Sequence, residues 1–405
     1  MKITHIHIER FRGFQNEDFE VGSLLTAIAG QNGTQKSTLL GIITQTFTLK
    51  TEDSMRVEKP LCGGSYISAF KDKFRLSPTF DKPKGHEWTI SFDAGMDDFT
   101  VESIKRTGDP NVRFWKKGAR QEGDGYISFP TIFLSLKRLV PVAEEAKIIT
   151  DDTLLTQEEL NEFKQLHNKI LIAQTPISSA TTITSKNKQS IGVSTELYDW
   201  NQNSMGQDNL GKIILALFSF KRLHDKYPRQ YKGGILAIDE MDATMYPASQ
   251  VELLKVLRKY ASKLNLQILF TTHSMSLLKA MDDLVQEVTK KEETANQAKI
   301  LYLKKVDDKI AIKQGVNFKG IQLDLNVVAE GNNRKKNRIT AYTEDKENIL
   351  FVKAILKSKA FVLDFVDVTL PCSTLMELVT KRVPAFIYPY SIVILDLSLI
   401  YISEP

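Results

Sequence analysis

The stretch AIAGQNGTQKSTLLG, Ala27 to Gly41, constrains this chain more than any other. A glycine, four variable residues and then Gly-Lys-Ser/Thr is the spacing of a phosphate-binding loop. Backbone N–H groups wrap the phosphates, the lysine reaches the β and γ oxygens, and the hydroxyl holds Mg²⁺. Gly30, Lys36 and Ser37 occupy three of these posts, and Gln35 stands where a second glycine is expected. The flanks agree. LLTAIAG reads as a buried strand, and STLLGIITQTF has the apolar spacing of a helix beginning at Ser37. The loop therefore sits at a helix N-terminus, where phosphate is favoured. Gln35 gives up the conformational freedom of glycine, although Gly33 remains to make the tight turn. Gly30, Gln31, Asn32, Gly33, Thr34, Gln35, Lys36, Ser37 and Thr38 are thus the candidate nucleotide-binding residues, with Ser37 also a Mg²⁺ ligand.

A chain of 405 residues, 42% hydrophobic and 25% charged, can bury a substantial core, as two domains or as one with large insertions. Cys62 and Cys372 lie far apart without metal-ligand spacing, which argues against a disulfide framework or a zinc site and for a reducing, cytoplasmic setting. The opening MKITHIHIERFRGF alternates like an edge or half-buried strand and lacks a signal-peptide core. No segment has the length of a membrane span without a charge or proline, so no membrane partner is expected. The net charge of +5 is that of a well-solvated surface.

Two hundred residues downstream, KGGILAIDEMDATMYP places Asp239 and Glu240 at the end of an apolar run. Ligands of open α/β sheets bind at such carboxyl edges. Asp239 is the candidate for holding Mg²⁺, and Glu240 the candidate for polarising the water that attacks the γ-phosphate. LQILFTTHSMSLLKAM is again a β-type run ending in polar residues. Its His273 suits a γ-phosphate sensor, since imidazole can donate one hydrogen bond and accept another. Ahead of the carboxylates, Ser204, Gly206 and Gln207 open an amphipathic helix as Ser-x-Gly-Gln, where Ser204 could equally be an ordinary helix cap.

In this order the elements resemble the ATP-binding-cassette ATPases, and specifically the head domains of the SMC and RecF-like group. The resemblance implies ATP and Mg²⁺ as cofactors, and hydrolysis carried by Lys36, Glu240 and His273. It also implies a dimer in which Ser204, Gly206 and Gln207 of one head contact the γ-phosphate held by the other. IHIERFRGFQNEDFEV resembles the start of such heads, where Arg12 approaches the nucleotide. YISFPTIFLSLKRLVPV occupies the region of the glutamine that links nucleotide to the helical lobe in that family, without an obvious candidate.

No long heptad region separates Lys36 from Ser204, so a compact insertion fills that gap. Residues 50–130 read as a β-rich insertion with hairpins at EWTISFDAG and FTVESIKRTG. Residues 140–200 read as a helical and mobile insertion, with a helix over DDTLLTQEELNEFKQLHNKILIA and a mobile polar stretch at TPISSATTITSKNKQS. AKILYLKKVDDKIAIKQG suggests a closing hairpin, ending an ATPase domain of residues 1–330. The run with Arg334, Lys335, Lys336 and Arg338 marks a basic linker over 331–339.

Residues 340–396 resemble the start of a Toprim domain. Glu344 stands at a strand end before a helix, and YSIVILD supplies a second strand ending in Asp396. Both are candidate metal ligands, yet two carboxylates are too few to hold a metal pair, so nuclease activity is expected to be lost in this chain. Residues 397–405 read as a non-native or truncated tail. The fold class expected is therefore α/β: a P-loop ABC-type ATPase head with β-rich and helical insertions, followed by an incomplete α/β Toprim-like segment. A head followed by Toprim is the order of the OLD nucleases, which include Gabija-like and retron-associated anti-phage effectors. That resemblance implies a homodimer or higher homo-oligomer and DNA as partner, with a defence-system protein or retron nucleic acid as further partners. The alternatives are a RecF-like ATP-gated DNA clamp without nuclease activity and a transporter ATP-binding cassette.

Overall fold

In the computed structural model the chain opens with a hairpin, β1 (Ile3–Phe11) and β2 (Phe14–Glu20), and proceeds through β3 (Leu25–Gly30) into α1 (Lys36–Thr44). The structure describes residues 1–66, 70–77, 79–93, 95–105, 112–118, 124–139, 148–151, 154–173, 175–184, 189–330, 339–387 and 391–395. It divides into two units, Met1–Gln322 and Leu323–Pro405.

After β4 (Phe47–Thr48) and α2 (Phe70–Lys73) come β5 (Glu87–Phe92), β6 (Phe99–Lys105) and β7 (Val112–Lys116). These three strands lie within the stretch expected to be a β-rich insertion. They extend the opening hairpin into one antiparallel sheet of order β2-β1-β5-β6-β7. β1 is accordingly an interior strand: its second edge needs backbone partners, and β5 supplies them. The alternation expected of β1 holds, with Ile6 and Ile8 fully buried beside Phe11, Trp88 and Ile90.

β8 (Ile127–Ser128) pairs with β4, and β9 (Thr131–Leu134) enters the central sheet. β10 (Ile149–Asp151), α3 (Gln157–Leu171), β11 (Ser179–Thr184) and β12 (Gln189–Ser194) follow. The helix expected in this region is present, opened by a reciprocal cap between Thr156 and Glu159. Within the polar stretch expected to be mobile, Ser179–Thr184 is instead strand β11, paired with β12. Ala180, Thr182, Ile183, Ile191 and Val193 are buried, and β-branched residues such as threonine favour strands despite their polarity.

Next come α4 (Met205–Lys226), β13 (Gly234–Ile238), α5 (Pro247–Lys263), β14 (Leu266–Thr271) and α6 (Met275–Val288), then the expected hairpin of β15 (Ala298–Val306) and β16 (Lys309–Gln314). The central sheet has order β16-β15-β3-β14-β13-β9, parallel from β15 to β9. Every residue of β3, β13 and β14 is buried, as both-face coverage of a parallel sheet requires. Parallel strands run one way, so β3, β14 and β13 end at one edge.

α7 (Phe318–Glu330) spans the division between the units. In the second unit β17 (Ile339–Thr343) leads into α8 (Lys346–Leu356), followed by β18 (Leu363–Phe365), α9 (Cys372–Thr380) and β19 (Ser391–Ile394). β17 lies between β18 and β19, parallel to both. The basic linker run and the tail lie outside the described residues. Both cysteines are free and buried. Among the described residues no helix is long and apolar enough to cross a membrane.

Candidate functional site

Gly30 ends β3 with φ 151°, and a Cβ there would lie 2.4 Å from the carbonyl oxygen of Leu303 on β15. Only glycine fits so close an approach. The loop then turns on Thr34, whose hydroxyl donates to the Gln31 carbonyl at 2.8 Å. α1 starts at Lys36, one residue before the expected start, with Gln35 as its cap residue in the left-handed region at φ 60° and ψ 34°. The glycine preference at this post thus has a physical cause, and a side chain here costs about 1 kcal/mol. The Gln35 side chain does not cap the helix, and its Oε1 is buried without a hydrogen-bond partner among the described residues.

Lys36 is 8% exposed, and its Nζ donates to the carbonyls of Gly30 at 3.0 Å and Gln31 at 2.9 Å. Burial pulls its pKa below the ordinary lysine value, against the pull of Glu240, Asp239 and Asp242. Ser37 is exposed, and its hydroxyl donates to Asp239 Oδ1 at 2.8 Å. The same oxygen accepts from the Thr271 hydroxyl at 2.7 Å, and that hydroxyl accepts from the Glu240 N–H at 2.6 Å. One chain of hydrogen bonds therefore joins the ends of β14 and β13 to the first turn of α1. The adjacent hydroxyl and carboxylate oxygens of Ser37 and Asp239 are hard donors of the kind Mg²⁺ takes, so an Mg²⁺–nucleoside triphosphate fits the residues present.

Glu240 itself is left-handed at φ 51°, a conformation that persists only when its surroundings enforce it. His273 is exposed, and its backbone N–H donates to Asp242 at 3.3 Å. Burial and the neighbouring Lys36 lower the imidazole pKa, against the pull of Asp242, Glu240 and Asp239, so the ring is neutral near pH 7.

Arg12 is held at φ 52° in the β1–β2 turn. Its guanidinium donates to both carboxylate oxygens of Asp81, at 3.0 and 2.9 Å, and to the Thr38 hydroxyl on α1 at 3.4 Å. Asp81 also accepts from the Ser77 N–H at 2.8 Å and meets His86 Nε2 at 3.1 Å. Burial alone would raise the Asp81 pKa, but Arg12, Ser77 and His86 take it down to about 2.

Ser204 and Gln207 form a reciprocal cap on α4, the ordinary capping role left open by the sequence. Gln207 Nε2 also donates to the Tyr198 hydroxyl at 2.7 Å. A Cβ on Gly206 would lie 2.5 Å from the Thr244 carbonyl oxygen, so this end of α4 sits directly on the loop that follows Glu240. Asn209 strengthens that seating, donating to the Ala243 carbonyl at 3.0 Å.

Sequence reasoning missed Asp81, His86 and Arg138. Arg138 follows β9 in the very region searched for a linking glutamine, and it is 2% exposed. The adjacent Lys137 and Arg138 set among the apolar residues of FLSLKRLV were the available signal. Glu344 follows β17, and the next residue, Asp345, caps α8 by accepting from the Asn348 N–H at 2.8 Å. Asp396 lies outside the described residues. Among the described residues no group of three or more His, Cys, Asp or Glu is arranged to hold a metal ion.

The sequence matches the family described as "AAA ATPase domain" over residues 1–189 and 135–278. No curated protein matches it. Solved structures it is similar to include the SMC head domain from Thermotoga maritima, at 14% identity and TM-score 0.43, covering 78% of this chain and 100% of that one. An SmcHead bound to the C-winged helix domain of ScpA shares 12% identity at TM-score 0.45, covering 80% of this chain and 100% of that one. The Smc head domain bound to the C-terminal domain of ScpA derived from Pyrococcus furiosus shares 12% identity at TM-score 0.43, covering 81% and 99%.

Proposed function

The chain belongs to the AAA ATPase domain family, and we propose that it is an ABC-type ATPase head that binds and hydrolyses ATP at the carboxyl edge of β3, β14 and β13. The observation that carries this reading is the hydrogen-bonded chain from Ser37 through Asp239 and Thr271 to Glu240. It places the loop hydroxyl, a carboxylate and the candidate base on neighbouring elements of one sheet edge. Lys36 would pair with the β and γ oxygens, and Ser37 and Asp239 would hold Mg²⁺, which would supply neutralisation of the phosphate charge. Glu240 takes the proton of the attacking water, and neutral His273 donates a hydrogen bond to the γ-phosphate.

Ser204, Gly206 and Gln207 serve the site of a second copy in this reading, so hydrolysis depends on dimer formation. Their seating on the loop after Glu240 supports it, because that end of α4 is joined to the loop next to the base. Hydrolysis measured against protein concentration is the test. A rate per chain that rises with concentration and saturates supports the composite site, and a constant rate rejects it.

The finer reading is ATP-controlled DNA binding or cleavage of the OLD type in anti-phage defence. It is supported by the order β17, Glu344, α8 in the second unit. The alternative is a RecF-like ATP-gated DNA clamp without nuclease activity. Supercoiled plasmid incubated with ATP and Mg²⁺ or Mn²⁺ tests both. Salt-sensitive binding supports the DNA association that the two readings share, and nicking that disappears in Glu344→Ala supports the nuclease against the expected loss of cleavage in this chain.

A further inference from the structure

We propose that Arg138 is a positioning residue for hydrolysis, one buried guanidinium that ties the backbone of Glu240 to α4. The inference rests on the reading of Glu240 as the base. Arg138 Nη2 donates to the Glu240 carbonyl at 2.7 Å, and Nε donates to Asn209 Oδ1 on α4 at 2.7 Å. Nη1 anchors the group to the end of β9, donating to the carbonyls of Leu134 at 3.2 Å and Ser135 at 3.1 Å. A planar fork fixes all these directions at once, which a lysine with one nitrogen cannot do.

The position of the fork matters because Glu240 is left-handed. Thr271 takes its N–H and Arg138 holds its C=O, so the backbone is clamped on both sides and the carboxylate moves only by its own rotamers. Asn209 uses its other end on the Ala243 carbonyl. It lies just beyond Ser204 and Gln207 on the same helix. A displacement of that helix end therefore reaches the base through two hydrogen bonds. Burial lowers the Arg138 pKa to about 10, and the carboxylates of Asp239, Glu240 and Asp242 oppose that shift without cancelling it.

The test measures kcat, KM and ATP affinity for Arg138→Lys in the parent chain and in Glu240→Gln, with melting temperatures to confirm folding. Arg138→Lys is expected to lower kcat by about 10- to 100-fold and to leave ATP affinity within about threefold. In the Glu240→Gln background, read by single turnover, the further loss is expected to be under about threefold, because a residue acting through another is not additive with it. Asn209→Ala cuts only the α4 end and is expected to lower kcat about fivefold at unchanged affinity. It decides the matter if Arg138→Lys does not fold. Equal losses in both backgrounds, an unchanged kcat, or an affinity loss that matches the kcat loss would each overturn the inference while leaving the base intact. A Glu240→Gln chain that hydrolyses like the parent would instead overturn the assignment of the base, and this inference with it.

Discussion

The central parallel sheet and the five-stranded antiparallel sheet both bring charged side chains to α1, by different devices. In the parallel sheet Asp239, Glu240 and Thr271 lie at or just after the end of an apolar strand, and the common direction of β3, β14 and β13 collects them at one edge. In the antiparallel sheet Arg12 sits in a hairpin turn and is fixed by Asp81, 69 residues away, which itself leans on His86 just before β5. Chemistry placed at strand ends follows from local pattern. Chemistry placed by loop-to-loop pairing follows only from the fold.

Four substitutions would break or sharpen this contrast. Lys36→Ala should abolish ATP binding in titration calorimetry, since the loop loses its charge on the β and γ phosphates. Unchanged affinity would show that the parallel edge is not the nucleotide site. Glu240→Gln should keep ATP affinity and slow hydrolysis by about two to four powers of ten, as loss of a general base does. Sizing chromatography with ATP should then show a trapped dimer, and a monomer hydrolysing at the parental rate would remove Glu240 and the composite site together.

On the antiparallel side, Asp81→Asn should cost about 2 kcal/mol at pH 7, because the folded pKa is about 2 against an ordinary 3.8. A depressed carboxylate contributes stability above its unfolded value and loses it as pH falls through the folded one. Chemical denaturation of the parent should therefore show stability falling between about pH 4 and pH 2, and Asp81→Asn should flatten that segment. His86, lowered mainly by burial, acts in the same direction at higher pH: the unfolded chain takes up its proton first as pH drops below 6.5. An unaltered pH profile in Asp81→Asn would mean that Arg12 is held by other contacts. The smallest effect is expected from Gln35→Gly. Relief of the left-handed strain, about 1 kcal/mol, is offset by the entropy of glycine in the unfolded chain. ATP affinity should be intact or better, and a tenfold loss would assign Gln35 a contact of its own.

The legible part of the molecule was the part with a period or a spacing. Strands β3, β13 and β14, the helices α3 and α4 and the closing hairpin were readable from apolar patterning, with a cap residue legible at α4. One expectation fails for a physical reason: TPISSATTITSKNKQS reads as mobile because threonine and serine are polar, yet Thr182 and Ile183 pack in β11. The β-rich character of residues 50–130 is legible, but nothing local shows that β5 pairs with a strand some 80 residues earlier.

The sequence by itself determined the loop of Lys36 and Ser37, the carboxylates after β13 and the cap that opens α4, because each depends on neighbours within a few residues. Only the tertiary structure decided that Arg138 stands behind Glu240, 102 positions away, and that Asp81 holds Arg12. A buried charge must find its partners wherever the fold brings them. Burial and approach are properties of the packed chain, and no spacing in the sequence encodes them.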